Sequence, residues 1–151
     1  MSARLDYRLV DTPAAFREAA GALAHGRGPF AVDTERASSF RYGNRAFLVQ
    51  VARRGAGTFL IAPEGHRDEV REIFAPVLGG QEWIIHAAGE DLRSLALLGL
   101  HPGILFDTEL ASRIVGHDRP NLAAMVERFV GVELELSLIH ISEPTRQEAI
   151  S

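Results

Sequence analysis

The chain has 151 residues and a mass of 16.5 kDa; 46% of its residues are hydrophobic and 24% charged, enough for one domain with a real core. It contains no cysteine and no lysine, which excludes disulfides, thiolate nucleophiles, cysteine-based metal centres, Schiff bases and a phosphate-loop lysine. All 16 basic residues are arginine, and a formal charge of −4 excludes a bulk polycation, so any nucleic-acid contact comes from a local patch.

Asp6 to Val10 reads as a short strand. Asp11-Thr12-Pro13 then signals a helix start, with an N-cap residue followed by proline in the first turn, and Phe16, Ala19, Ala20 and Leu23 continue at helical spacing. Phe30-Ala31-Val32 is an apolar strand running directly into Asp33-Thr34-Glu35. Ala46 to Ala52 and Thr58 to Ala62 are two further strands joined through the turn Arg53 to Gly57, an antiparallel hairpin. Val70, Ile73, Phe74, Val77 and Leu78 mark an amphipathic helix that Gly79-Gly80 terminates. Trp83 to Ile85 is a strand, and helices are expected over Asp91 to Leu98, Asp107 to Val115 and Pro120 to Val130. The order predicts an α/β fold with a mixed sheet. There is no run of about 18 apolar residues and no apolar leader in MSARLDYRLVD, so a cytoplasmic protein without a membrane span is expected.

Two segments carry possible chemistry. Side chains alternate along a strand, so Asp33 and Glu35 share a face, and two adjacent carboxylates need a cation or a shared proton to offset their repulsion. Oxygen-only ligands suit magnesium or manganese, although a strand ending in a polar loop explains the same letters. The second segment is Trp83-Ile84-Ile85-His86-Ala87-Ala88-Gly89-Glu90-Asp91-Leu92, a strand, a turn of small residues and a helix start. Asp91 falls in the first turn, where the helix dipole favours an acid, so simple capping is the alternative. Asp107-Thr108-Glu109 repeats the tripeptide ahead of a helical pattern, and there Asp107 reads as an N-cap. The six histidines show no paired spacing that would predict zinc. Arg36, Arg41, Arg45, Arg53 and Arg54 follow the acidic pair with Phe40, Tyr42 and Phe47 between them, a pattern suited to phosphates and bases or to a solvated hairpin.

Val32-Asp33-Thr34-Glu35 resembles the first motif of the DEDD 3′–5′ exonucleases, and His86-Ala87-Ala88-Gly89-Glu90-Asp91-Leu92 resembles the second, in the form found in ribonuclease D. Phe106 to Ala111 and Asn121 to Val126, running on to Gly131-Val132-Glu133-Leu134, are similar to the same family. The resemblance covers roughly residues 5 to 135, with the two motifs about 55 residues apart. It implies a ribonuclease H-like mixed sheet flanked by helices and incomplete at the C-terminus. It implies a ribonuclease D-like 3′–5′ exoribonuclease that hydrolyses phosphodiester bonds at RNA 3′ ends, including tRNA, with two divalent cations, Mg2+ or Mn2+. On that pattern Asp33 would bridge both cations, Glu35 would bind one and Asp91 would help hold the second. Thr34, Arg36, Arg41, Arg45 and His86 are the expected contacts to a single-stranded RNA 3′ end, and the Arg36 to Arg54 segment is expected to line the cleft beside the acids.

The family's fourth acid and a tyrosine four residues before it belong downstream of Leu134, where nothing matches. Residues 136–151, beginning Leu136-Ser137-Leu138-Ile139-His140-Ile141-Ser142-Glu143-Pro144, instead resemble the translation of a sequencing-library adapter. Residues 1–135 are therefore expected to be the N-terminal part of an exonuclease domain and 136–151 a non-native tail, with the chain itself nearly inactive. Three alternatives remain open: a non-catalytic nucleic-acid-binding domain, a DNA 3′–5′ exonuclease of the same fold, and an α/β domain with no site, whose acids only cap helices.

Overall fold

A computed structural model describes residues 6–36 and 45–131; Arg41 and the tail from residue 136 lie outside the described residues. Among the described residues six strands and five helices follow in the order β1 (Tyr7–Val10), α1 (Pro13–Ala24), β2 (Arg27–Arg36), β3 (Ala46–Arg54), β4 (Gly57–Ile61), α2 (Arg67–Leu78), β5 (Glu82–Ile85), α3 (Gly89–Leu97), β6 (Ile104–Asp107), α4 (Thr108–Ile114) and α5 (Leu122–Val130). The expected α/β fold with a mixed sheet is present.

Local chemistry accounts for most of the boundaries. The Thr12 side chain accepts from Ala15 N–H and Pro13 occupies the first turn of α1; Asn121 caps α5 in the same way through Ala124 N–H. Gly131, at φ 72°, ends α5 in the left-handed conformation that glycine adopts without steric cost. Helix α3 begins at Gly89, two residues before the expected start, and α5 at Leu122, two after.

The strand order is β1-β4-β3-β2-β5-β6. Strands β2, β3 and β4 form an antiparallel meander, whereas β1 joins β4, and β5 joins β2 and β6, in parallel. Strand β6 was not among the expected elements. Its four residues are mostly exposed, so they carry no alternation to reveal a strand; β6 exists because the open edge of β5 recruits its backbone, pairing Glu82 to Ile85 with Ile104 to Asp107.

Helices α1 and α2 pack against each other over one face of the sheet. Phe16 and Leu23 of α1, and Val70, Phe74 and Leu78 of α2, meet Phe30, Val32, Val51, Ile61, Trp83 and Ile85 from the strands, all buried. Each large side chain so buried contributes about 1.5–3 kcal/mol. The Trp83 indole N–H, which cannot be left unpaired in such a core, donates to the Leu78 carbonyl at 2.8 Å. On β2 the buried Phe30, Val32 and Thr34 alternate with Ala31, Asp33 and Glu35, which are exposed on the other face.

Two glycines test this packing with opposite signs. A Cβ on Gly103 would stand 2.7 Å from the Gly80 carbonyl carbon, backbone that cannot yield cheaply, whereas one on Gly21 of α1 meets nothing within 4 Å. Gly103→Ala is expected to destabilise the fold by about 1–3 kcal/mol and Gly21→Ala to stabilise it by about 0.5–1 kcal/mol. Urea midpoints at unchanged m-value read both.

Candidate active site

Strand β2 closes with Asp33-Thr34-Glu35-Arg36, still paired with β3 but past the end of β5. Strand β5 lies parallel beside it, Phe30 against Trp83 and Ala31 against Ile84, so the chain that leaves β5 as His86-Ala87-Ala88-Gly89 emerges next to the acidic pair. That turn is tight: Ala87 sits at φ 56°, a left-handed conformation costly for an L-residue with a side chain. The Asp107 carboxylate holds it there. It accepts from Ala87 N–H at 3.0 Å and Ala88 N–H at 2.9 Å, and also from Glu109 N–H at 2.9 Å and Leu110 N–H at 3.2 Å. Asp107 is the expected N-cap of α4, and it additionally positions the start of α3.

Asp91, in the first turn of α3, is 7% exposed. It caps nothing: the N-cap position is Ala88 and no side-chain capping bond forms. Instead its Oδ1 accepts from the Thr34 hydroxyl and, at 3.4 Å, from Arg36 Nη1, while Arg36 Nη2 pairs with Glu90 at 2.6 Å. Asp33, Glu35, Arg36, His86, Glu90 and Asp91 line one open cleft of about 640 Å³. His86 is tethered by a 2.9 Å hydrogen bond between Nδ1 and Thr108 Oγ1.

The electrostatics separate the acids. Asp33 opens to the cleft on one side, but surrounding protein strips part of its hydration; this desolvation, joined by the nearby Glu35 charge, raises its pKa against the pull of the Thr34 N–H. Asp91 is raised chiefly by burial and then by the Asp33 and Glu90 charges, which outweigh the Thr34 hydroxyl and the Arg36 guanidinium. Partial desolvation also works to raise Asp107, but the N–H groups of Ala88, Leu110, Ala87 and Glu109 overcome it and lower the pKa.

Three carboxylates sharing a cleft at mutual electrostatic cost form an oxygen donor set whose chemistry fits a hard divalent cation. Their arrangement is not that of a finished site. Among the described residues no group of three or more His, Asp or Glu side chains is placed to hold a metal ion, and one Asp91 oxygen is taken up by Thr34 and Arg36.

Of the expected substrate contacts, Thr34, Arg36 and His86 line the cleft. Arg45 does not: it faces Glu64 at 3.7 Å. The expectation that the whole Arg36 to Arg54 segment lines the cleft fails for Arg53 and Arg54 as well, because the β2–β3 pairing carries them to the opposite end of the hairpin, where Arg54 lies across from Arg27. Sequence reasoning missed the roles of Glu90 as a partner of Arg36, Thr108 as the tether of His86 and Asp107 as a clamp on the turn. The repeated Asp-Thr-Glu tripeptide was the one available signal for the last two.

A family model described as 3′–5′ exonuclease matches residues 7–142. No curated protein matches the chain. Among solved structures it is similar to a protein from Bifidobacterium adolescentis, at 41% identity and a TM-score of 0.79, over 86% of this chain and 32% of that one. It is similar to the catalytic core of RRP6 from Trypanosoma brucei, at 28% identity and a TM-score of 0.75, over 87% and 36%. It is also similar to RNase D from Escherichia coli, described as an exoribonuclease involved in structured RNA processing, at 27% identity and a TM-score of 0.73, over 87% and 35%. The chain thus spans about a third of the length of each structure, and its mixed sheet is the ribonuclease H-like arrangement that the resemblance implies.

The pKa directions have opposite consequences for stability. Folded Asp33 and Asp91 hold their protons more tightly than the unfolded chain does, so their charge costs stability as pH rises through about 4, fully so above their raised values. Asp107 contributes stability above about pH 4 that is lost as pH falls through its lowered value. Asp33→Asn is therefore expected to raise Tm at neutral pH, with the gain disappearing below about pH 4. A gain that persists unchanged in acid would show that charge is not its cause. Asp107→Asn is expected to cost about 1–2 kcal/mol at neutral pH and less in acid, read by thermal melts over the same range.

Proposed function

Because the chain belongs to the 3′–5′ exonuclease family, we propose that its acid cleft acts on RNA 3′ ends, as the metal-binding end of a ribonuclease D-like exoribonuclease. The carrying observation is that Asp33, Glu35 and Asp91 line one cleft where β2 runs on past the end of its parallel neighbour β5. The ribonuclease D form of the His86 to Leu92 segment favours RNA over DNA, and tRNA 3′ ends in the cytoplasm are the substrate and place proposed.

Asp33, Glu35 and Asp91 are the residues that would hold Mg2+ or Mn2+. Divalent cations at such a site supply positive charge for activating the attacking water and stabilising the leaving 3′ oxygen. The chain's own contribution is placement. Thr34 and the Asp107-clamped turn hold Asp91 at the cleft. Arg36 presents a guanidinium there, a geometry suited to phosphate oxygens once its carboxylate partners are engaged elsewhere. His86, fixed through Nδ1, keeps Nε2 for a substrate group. A second reading, a nucleic-acid-binding domain without hydrolysis, draws support from the absence of a preassembled three-ligand group among the described residues.

Three of the four acids that the resemblance implies are matched in this chain, so binding is the direct test. Mn2+ binding followed by electron paramagnetic resonance is expected for the 151-residue chain. Asp33→Asn and Asp91→Asn are each expected to weaken it by on the order of tenfold or more, the loss of one charged ligand. Binding of a single-stranded RNA should tighten with Mn2+ and exceed that of a DNA strand of the same sequence. RNA binding indifferent to divalent cations would favour the second reading, and a preference for DNA would overturn the assignment of RNA.

A further inference from the structure

A second cleft, of about 720 Å³, lies at the far end of the same strands. Arg27 and Arg54 border it, Ala31 and Ala52 form part of its floor, and among the described residues no acidic side chain lines it. In a chain of net charge −4 this is a local reversal of sign. Among the described residues neither Arg27 nor Arg54 pairs with a carboxylate, as is also true of Arg17, Arg71, Arg93, Arg119 and Arg128. Arg27 and Arg54 stand directly opposite each other in the antiparallel ladder, an arrangement of like charges that is unfavourable unless an anion intervenes. Arg53 is turned the other way: Nε donates to Gly28 O at 2.9 Å, Nη1 donates to Leu23 O of α1 at 2.8 Å, and the guanidinium lies over buried Phe30 at 4.2 Å, so Arg27 and Arg54 supply the guanidinium groups on the open face.

The two clefts share a surface. Ala31, at the edge of the arginine cleft, is exposed on β2 alongside Asp33 and Glu35 of the acid cleft. Six residues separate Arg27 from Asp33, about 20 Å of strand, and the small side chain of Ala31 lies between. We propose that the cleft bordered by Arg27 and Arg54 is a subsite for the phosphates of single-stranded RNA upstream of the 3′ end held at the acids. This rests on the reading that the acid cleft takes an RNA 3′ end. Guanidinium forks match phosphate oxygens in pairs, and a phosphodiester chain is the polyanion that reaches continuously from one cleft to the other.

The test compares fluorescence anisotropy of a labelled oligoribonucleotide of about twelve nucleotides, long enough to cover both clefts, with that of a dinucleotide, at several salt concentrations with Mn2+ present. For Arg27→Ala/Arg54→Ala the slope of log K against log salt should fall in magnitude by about 1.4 for the long strand, two single-strand phosphate contacts at about 0.7 each. Binding of the dinucleotide should not change, and Arg27→Lys/Arg54→Lys should restore the slope. Both residues are exposed and repel each other, so the alanine variant is expected to fold, with a Tm no lower than that of the parent. An unchanged slope for the long strand overturns the subsite and leaves the acid-cleft reading standing. Equal losses for the dinucleotide, or displacement of RNA by polyglutamate at matched charge, also overturn the subsite. A reduced slope in the double variant, together with RNA binding that ignores both Mn2+ and Asp33→Asn, supports the phosphate contacts and overturns the acid-cleft reading alone.

Discussion

Strand β2 is hydrogen-bonded on both sides, antiparallel to β3 and parallel to β5, and the placement of every side chain in the acid cleft follows from that double pairing. The parallel partner matters most. Because β5 runs in the same direction as β2 and stops level with Val32, the turn that leaves it delivers the first turn of α3 against Thr34, beside the last residues of β2. An antiparallel neighbour would have brought the opposite end of its strand to that point. The buried side of β2 then recruits Asp91, while its open side carries Asp33 and Glu35. A nearly buried carboxylate is tolerated at this junction because a hydroxyl and a guanidinium share its charge.

The tripeptide Asp-Thr-Glu occurs twice with opposite electrostatic outcomes. Asp33, on a strand end, receives one backbone N–H and faces Glu35, and its pKa is raised by desolvation and repulsion. Asp107, where β6 becomes α4, receives four N–H groups, and these outweigh desolvation. The first arrangement stores repulsion that a cation would relieve; the second spends a carboxylate on fixing a turn that strains Ala87. The two are coupled in space, since the turn that Asp107 clamps is the one that places Asp91 near Asp33.

Much of the fold was legible in the residues. Thr12 with Pro13, Asn121, and the apolar spacing from Val70 to Leu78 each act within about one turn of helix, and the structure uses them as read. The alternation around Asp33 to Glu35 was legible for the same reason. Strand β6 was not, because the short apolar run Ile104-Leu105-Phe106 does not by itself distinguish a strand from the approach to a helix, and pairing with the edge of β5 decides it. The arginines between Arg36 and Arg54 were grouped by proximity in sequence, yet a hairpin sends the two ends of such a run to opposite ends of the sheet.

By itself, then, the sequence determined the helices, five of the six strands among the described residues, the buried faces of α1, α2 and β2, and which two short motifs carry the acids, since these depend on neighbours a few residues away. Only the tertiary structure decided that Thr34 meets Asp91 across 57 residues, that Asp107 clamps the turn after β5, that Arg45 turns to Glu64 and that Arg27 and Arg54 stand opposite each other. The physical reason is that such contacts are set by which strands pair, in what direction and in what register. Those choices are made by ladders between distant segments, and no local pattern encodes them.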